Sequence, residues 1–236
     1  MNLKMRQFGL LLLISTTLSA QSPKMISGID KAKIDLWEQE RANELKVTPF
    51  LQWKGDSAFR FFNGRQFVEI LYDQGKKTGR IISFGREYKP YDSEKKRTKP
   101  RKVHFRASYL ERSQLVRLDS LITGSQIRLI PTGDSLKKWQ FGCDGIVYQM
   151  ESTNPKNYVF QSYWTPEVQD STLIEAKQVE HFAVQMKSIL NLEAEWNQFI
   201  NHLPSGAYFV GTMSVVTTQR TFQHNVKAFW RRMFSK

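Results

Sequence analysis

The chain has 236 residues and a formal net charge of +13 at pH 7, because 35 Lys and Arg residues outnumber 22 Asp and Glu residues. Its only cysteine, Cys143, excludes an intramolecular disulfide. After the first 20 residues, no apolar run is long enough to cross a bilayer. We therefore expect a domain that is held together by apolar burial and hydrogen bonds.

Residues 1–20 predict a secretory signal peptide. Lys4 and Arg6 precede an apolar run at 8–14, and small residues lead from there to Ala20. A basic start, a short apolar centre and small residues at the exit are typical of a cleaved signal. We expect export to the periplasm or the extracellular space, and not as a lipoprotein, because no cysteine stands at the cleavage site. An uncleaved N-terminal anchor is the alternative.

Residues 21–216 predict a single α+β domain, in which an antiparallel β-sheet meander packs against one long helix. A helix is expected over 29–46, and Asn63-Gly64 is a strong signal for a hairpin between the first two strands of the meander. The further elements are expected at 58–62, 66–72, 78–84 and 103–110 (strands), 113–122 (helix), 126–130 (strand), 145–151 and 158–164 (a hairpin) and 207–216 (strand).

The longest predicted helix covers 172–203. Thr172 and Glu175 predict a capping box at its start, in which each side chain binds the other residue's backbone N–H. Apolar residues then recur at helical spacing as far as Leu190. We expect the helix to continue to Leu203, and Asn191 is the candidate position for a kink.

Two short motifs could carry chemistry, and we expect both to be structural. The sequence Gly133-Asp134-Ser135-Leu136 resembles the nucleophile block of the GDSL esterases, but the Asp-x-x-His motif of that family has no counterpart here, so we expect a turn. Cys143 stands between glycines, and we expect its thiol to be buried as a small apolar group. The four histidines lack the spacing of metal ligands. We therefore assign no catalytic residue, metal or cofactor.

Residues 86–106 form a polar excursion with nine basic residues against three acidic ones. Tyr88, Tyr91 and Phe105 lie among these cations, a pattern typical of nucleic-acid binding. Export argues against a nucleic-acid partner, so we expect an anionic membrane surface or an acidic glycan instead. A solvated loop that keeps the protein in solution is the alternative. The predicted contact residues are Lys95, Lys96, Arg97, Lys99, Arg101 and Lys102.

Residues 217–236 carry five basic residues and no acidic residue, and they predict a basic amphipathic helix. Such a helix binds an anionic membrane or a partner groove; the alternative is that it packs onto its own domain. The cations predicted to contact the anionic surface are Lys227, Arg231 and Arg232. The predicted apolar face consists of Phe222, Val226, Phe229, Trp230, Met233 and Phe234.

These features favour an exported, non-enzymatic envelope protein that binds an anionic membrane surface, an acidic glycan or an unidentified envelope protein. The two basic segments account for the surplus of positive charge in residues 21–236, and the rest of that span is close to neutral. One alternative is a hydrolase whose site is assembled from distant segments. Another is a structural subunit of a secretion or surface assembly.

Overall fold

The computed structural model describes residues 25–27, 31–88, 102–211 and 214–218, with side chains from residue 38 onward. These residues form four α-helices and nine β-strands in one sheet, which confirms the predicted α+β class. The strands are β1 (Met25–Ser27), β2 (Ser57–Phe62), β3 (Gln66–Asp73), β4 (Lys76–Glu87), β5 (Val103–Tyr109), β6 (Val147–Thr153), β7 (Asn157–Trp164), β8 (Gly206–Val210) and β9 (Ser214–Thr218). The helices are α1 (Lys31–Leu45), α2 (Arg112–Gly124), α3 (Ile174–Leu190) and α4 (Leu192–His202).

Eight of these strands lie side by side in the order β1-β7-β6-β2-β3-β4-β8-β9, and β5 also pairs with β4. The described pairs are antiparallel except for β1 with β7, which is parallel. Strand β4 has 12 residues and pairs with three strands. Its last residues extend beyond β3, and there β4 lies between β5 and β8.

Alternation of side chains along the strands builds an apolar core on each face of the sheet. On one face, Phe59, Phe61 and Ile70 pack with residues of α2 and α3. On the opposite face, Phe67 of β3 packs with Leu45 of α1. Helices therefore cover both faces, and residues on the central strands are buried whichever way they point.

Several local predictions are confirmed. Strands β2 and β3 form the hairpin at Asn63-Gly64, with Phe62 opposite Phe67 as the last pair before the turn. Strands β6 and β7 form the second predicted hairpin. Gly133–Ser135 is one turn of 3₁₀-helix, as expected for turn-forming residues.

Two of the predicted strands are wrong. Residues 126–130 contain a 3₁₀-helix, Ile127–Leu129, which follows Gln126 in a left-handed conformation (φ 51°). Ile127 is fully buried by this turn whereas Leu129 is exposed, so the burial of Ile127 does not require a strand. Residues 207–216 span two antiparallel strands, β8 and β9, because Gly211 adopts a φ of 65° and lets the chain reverse.

The helix predicted over 172–203 is divided into α3 and α4 at Asn191. Asn191 has φ 48° and ψ 49°, a left-handed conformation that interrupts the right-handed helical backbone. It follows the last residue of α3 and precedes the first residue of α4. The predicted capping box is also wrong, because α3 begins at Ile174. Thr172 instead donates its backbone N–H and its hydroxyl to Asp170 Oδ1, at 2.8 Å each. These hydrogen bonds lower the pKa of Asp170.

We predict that Asn191→Ala lowers the free energy of unfolding by about 1 kcal/mol, because a Cβ-bearing residue without a polar side chain is strained in the left-handed region. Asn191→Gly should leave stability within about 0.5 kcal/mol of wild type, since glycine adopts this conformation readily. Urea unfolding followed by circular dichroism measures both. The control is Asn197→Ala at an exposed position of α4, where a loss equal to that of Asn191→Ala would contradict the backbone explanation.

Candidate functional site

The two basic segments leave the sheet at the same end. Tyr88, the last residue described before the first segment, donates its backbone N–H to the carbonyl of Ala207 in β8 (N–O 2.8 Å). Ala207 pairs in turn with Thr217 of β9, next to the point where the second segment begins. On the other side of β4, Glu87 donates its backbone N–H to the carbonyl of Lys102 (2.9 Å), where the first segment returns. We call this edge of β4, β5, β8 and β9 the basic end of the sheet.

The strand spacing sets the distance between the two exit points at the basic end. Neighbouring strands lie about 4.8 Å apart, and β4 and β9 are separated by β8, so the exits are about 10 Å apart. Residues 89–102 contain seven basic and two acidic residues, and residues 219–236 contain five basic residues and no acidic one. Two segments with a combined net charge of +10 therefore leave the sheet from one small area of the protein.

Of the predicted contact residues, Lys102 lies within the described part of the chain and is exposed just before β5. The tail helix predicted over 217–236 begins within β9, and the rest of it lies outside the described residues. The same is true of the other predicted contact residues, Lys95, Lys96, Arg97, Lys99, Arg101, Lys227, Arg231 and Arg232, and of the predicted apolar face, Phe222, Val226, Phe229, Trp230, Met233 and Phe234.

Arginines that lie within the sheet near the basic end are paired with carboxylates of the helices. Arg86 of β4 donates to Glu44 of α1, with Nε–Oε2 at 3.2 Å. Arg106 of β5 lies 3.5 Å from Glu195 of α4. These two arginines therefore have carboxylate partners within the described part of the chain.

A second group of charges, which we call the buried charge row, crosses four neighbouring strands on the face covered by α1. Its side chains alternate in sign, from Arg80 of β4 through Glu69 of β3 and Arg60 of β2 to Glu151 of β6. Arg60 donates to Glu69 Oε1 at 2.6 Å and to Glu151 Oε2 at 3.1 Å. Arg80 Nη2 lies 2.7 Å from Glu69 Oε2. Arg60, Glu69 and Glu151 are each at most 2% exposed.

Helix α1 adds two charged side chains to the buried charge row. Arg41 lies 3.7 Å from Glu151. Glu38 accepts the backbone N–H groups of Phe50 and Leu51, at 2.7 and 3.1 Å. These contacts attach α1 and the chain segment that follows it to the sheet through polar interactions.

The carboxylates around the row differ in the direction of their pKa shifts. Burial is the main reason that the pKa of Glu38 is raised to about 7, and the negative charge of Glu151 adds to this increase. Burial alone would also raise the pKa of Glu69, but Arg60 and Arg80 lower it overall. Glu69 is therefore ionised at neutral pH, whereas Glu38 exchanges its proton near neutrality.

The buried charge row is a structural arrangement rather than a reactive one. Both oxygens of Glu69 accept hydrogen bonds from arginines. Both oxygens of Glu151 accept from Arg60, and Tyr158 donates its hydroxyl to one of them at 3.1 Å. A general acid or base needs an oxygen that can reach a substrate, and these oxygens are already occupied. The row therefore gives no support to the hydrolase alternative.

Cys143 is exposed, so the prediction of a buried thiol is wrong. Its loop contacts the protein through glycine backbone, since a Cβ placed on Gly142 would come within 2.5 Å of the Trp164 ring. This close approach brings the loop onto Trp164 without burying the cysteine. Among the described residues, no group of three or more His, Cys, Asp or Glu side chains could hold a metal ion.

No family model matches the chain, and no curated protein matches it with significant similarity. Among the helices in the described ranges, none combines the length and the apolar composition that are needed to cross a membrane. Function must therefore be inferred from the charge distribution and the geometry of the chain itself.

We predict that Arg60→Met lowers the free energy of unfolding by about 3–5 kcal/mol, because it leaves Glu69 and Glu151 buried without their shared cation. Chemical unfolding at pH 7 measures the effect. Arg117→Met, at an exposed position of α2, is the matched control and should change stability by less than about 0.5 kcal/mol. Similar losses in the two variants would show that the row does not hold the strands together.

The raised pKa of Glu38 predicts that stability declines between pH 4.5 and about pH 7, the ordinary and the raised pKa values. The folded state holds the proton of Glu38 more tightly than the unfolded state, so the free energy of unfolding falls as pH rises through about 7. The full effect is about 3 kcal/mol. Glu38→Gln should flatten this part of the pH profile. Glu40→Gln, exposed on the same helix, should keep it, and an unchanged slope in Glu38→Gln would contradict the assignment.

Proposed function

We propose that this chain is an exported, non-enzymatic protein that binds an anionic lipid surface through one cationic face. Residues 89–102 and 219–236 would form that face together. The observation that carries the proposal is that β4 and β9 end, and β5 begins, at the same edge of the sheet, so the two segments start about 10 Å apart. Two basic segments that start from opposite sides of the molecule could not contact one flat surface together.

Electrostatic attraction supplies the first part of the binding energy in this proposal. Each Lys or Arg close to an anionic bilayer contributes about 1 kcal/mol, and the attraction fades within a Debye length of about 10 Å at 0.1 M salt. The two segments contain 12 basic residues between them, against two acidic ones. Arg86 and Arg106 are held by Glu44 and Glu195, so these two arginines near the basic end would not compete for the lipid headgroups.

The apolar face predicted for the tail supplies the second part. In this proposal, residues 219–236 form a basic amphipathic helix, and its six large apolar side chains enter the boundary between headgroups and acyl chains. Each buried side chain would contribute about 1.5–3 kcal/mol before the cost of ordering the segment. A soluble acidic glycan offers no such apolar layer, so the combination of charge and apolar residues favours a membrane surface.

We predict that the protein sediments with vesicles of phosphatidylglycerol and phosphatidylcholine, and that raising the salt concentration weakens this binding. A variant with Lys95, Lys96 and Arg97 changed to Gln, and a second with Lys227, Arg231 and Arg232 changed to Gln, should each bind on the order of a hundredfold more weakly, since each loses three charges. Cosedimentation over a range of lipid concentrations gives the affinities.

The matched control removes the same number of charges from exposed positions outside the two segments. Lys137, Lys156 and Lys177 are exposed, and changing all three to Gln should leave vesicle binding nearly unchanged. Equal weakening in the control would mean that net charge alone drives the association. Equal binding to vesicles of phosphatidylcholine alone, or binding to an acidic polysaccharide but not to the vesicles, would contradict a membrane target.

A further inference from the structure

A groove of about 750 Å³ opens at the opposite end of β8 and β9 from the basic end. Its walls come from the β2–β3 turn, the last turns of α3, the start of α4, the segment before β6 and the β8–β9 turn. The Ser214 end of β9 lines it, whereas Thr218 at the other end of this five-residue strand leads towards 219–236. The groove and the exits of the basic segments are therefore separate places on the protein.

Two cationic side chains line this groove, and their surroundings differ. Arg65 forms an ion pair with Glu193, and its guanidinium lies 4.8 Å from the centre of the Trp196 ring. Lys187 is half-buried, and its ammonium donates to the hydroxyl of Tyr148 at 2.6 Å. No carboxylate of the described residues lies within ion-pair distance of Lys187. Among the described residues, Arg65 therefore has a carboxylate partner at the groove and Lys187 has none.

Apolar side chains make up much of the remaining wall. Val184 lies one turn before Lys187 on α3 and is 51% exposed, and Ile146 is 40% exposed. Leu192 and Trp196 are buried at the groove and form part of its lining. Solvent-exposed apolar residues that flank one uncompensated ammonium resemble a site for a molecule with an apolar body and one acidic group.

We infer that the groove binds a small amphipathic anion, with its carboxylate on Lys187 and its apolar body against Val184 and Ile146. The volume lies within the range of about 300–1,000 Å³ that is typical of sites for small molecules. Charge complementarity favours this occupant over residues 219–236, because that segment is itself cationic and would approach an ammonium that has no counter-ion. This inference does not depend on the proposed binding to a membrane surface.

Isothermal titration with decanoate, compared with the uncharged decanol, tests the site on the full-length protein. Decanoate should bind at one saturable site, and Lys187→Met should weaken its binding by at least about tenfold because a charge-assisted hydrogen bond is lost. The same substitution should leave decanol binding nearly unchanged. Lys177→Met, an exposed lysine elsewhere on α3, is the control and should bind decanoate as the wild type does.

A second variant leaves both Lys187 and Tyr148 in place. Val184→Glu places a carboxylate three residues from Lys187 at an exposed helical position, where it can pair with the ammonium and repel decanoate. It should weaken decanoate binding at least as much as Lys187→Met. Absence of saturable binding, wild-type affinity in both variants, or binding only after deletion of 219–236 would overturn the inference. These outcomes differ from those of the vesicle experiment.

Discussion

The guanidinium of Arg60 is the interaction on which the arrangement of the central strands depends. It lies between Glu69 of β3 and Glu151 of β6, and all three groups are shielded from water. A shift of either pairing by one residue would turn the partner carboxylate to the other face of the sheet and leave a buried charge alone. Apolar neighbours tolerate such shifts far better, so the charges specify the register, whereas the apolar cores on both faces supply burial energy.

The register that Arg60 specifies also determines where the basic segments leave the sheet. Glu69 connects Arg60 to Arg80, and this contact aligns β3 with β4. Strand β3 begins opposite Ser83, so the last residues of β4 extend past it and become available to β8. The hairpin of β8 and β9 then brings the end of the described chain to the same edge of the sheet as the end of β4, with β8 between them. A structural charge row thereby helps to fix the points at which the two basic segments leave the sheet.

Local signals in the sequence predicted most elements, whereas the contacts between them could not be read from it. Asn63-Gly64 marks the β2–β3 hairpin, but a two-residue turn there would place Arg60 opposite Phe67, whereas the observed turn places it opposite Glu69. The buried charge row depends on this difference and could not be predicted. Similarly, one glycine within the apolar run at 207–216 was not a strong enough signal to divide it, although the positive φ of Gly211 is what lets the chain reverse there.

The two regions to which we assign binding, the basic segments and the groove, can be compared with the arginines that have carboxylate partners. Arg60 and Arg80 have carboxylate partners inside the sheet, and Arg86 and Arg106 have them at its surface. These paired arginines hold strands and helices together. Because their charge is already compensated, they have little affinity left for an anionic ligand. Lys187 has no carboxylate partner among the described residues and lies at a groove with apolar walls, and the sequences of 89–102 and 219–236 combine basic with aromatic residues. Such pairs of features suit ligands that are acidic at one end and apolar at the other, for which a lipid surface and a small amphipathic anion are chemically related examples.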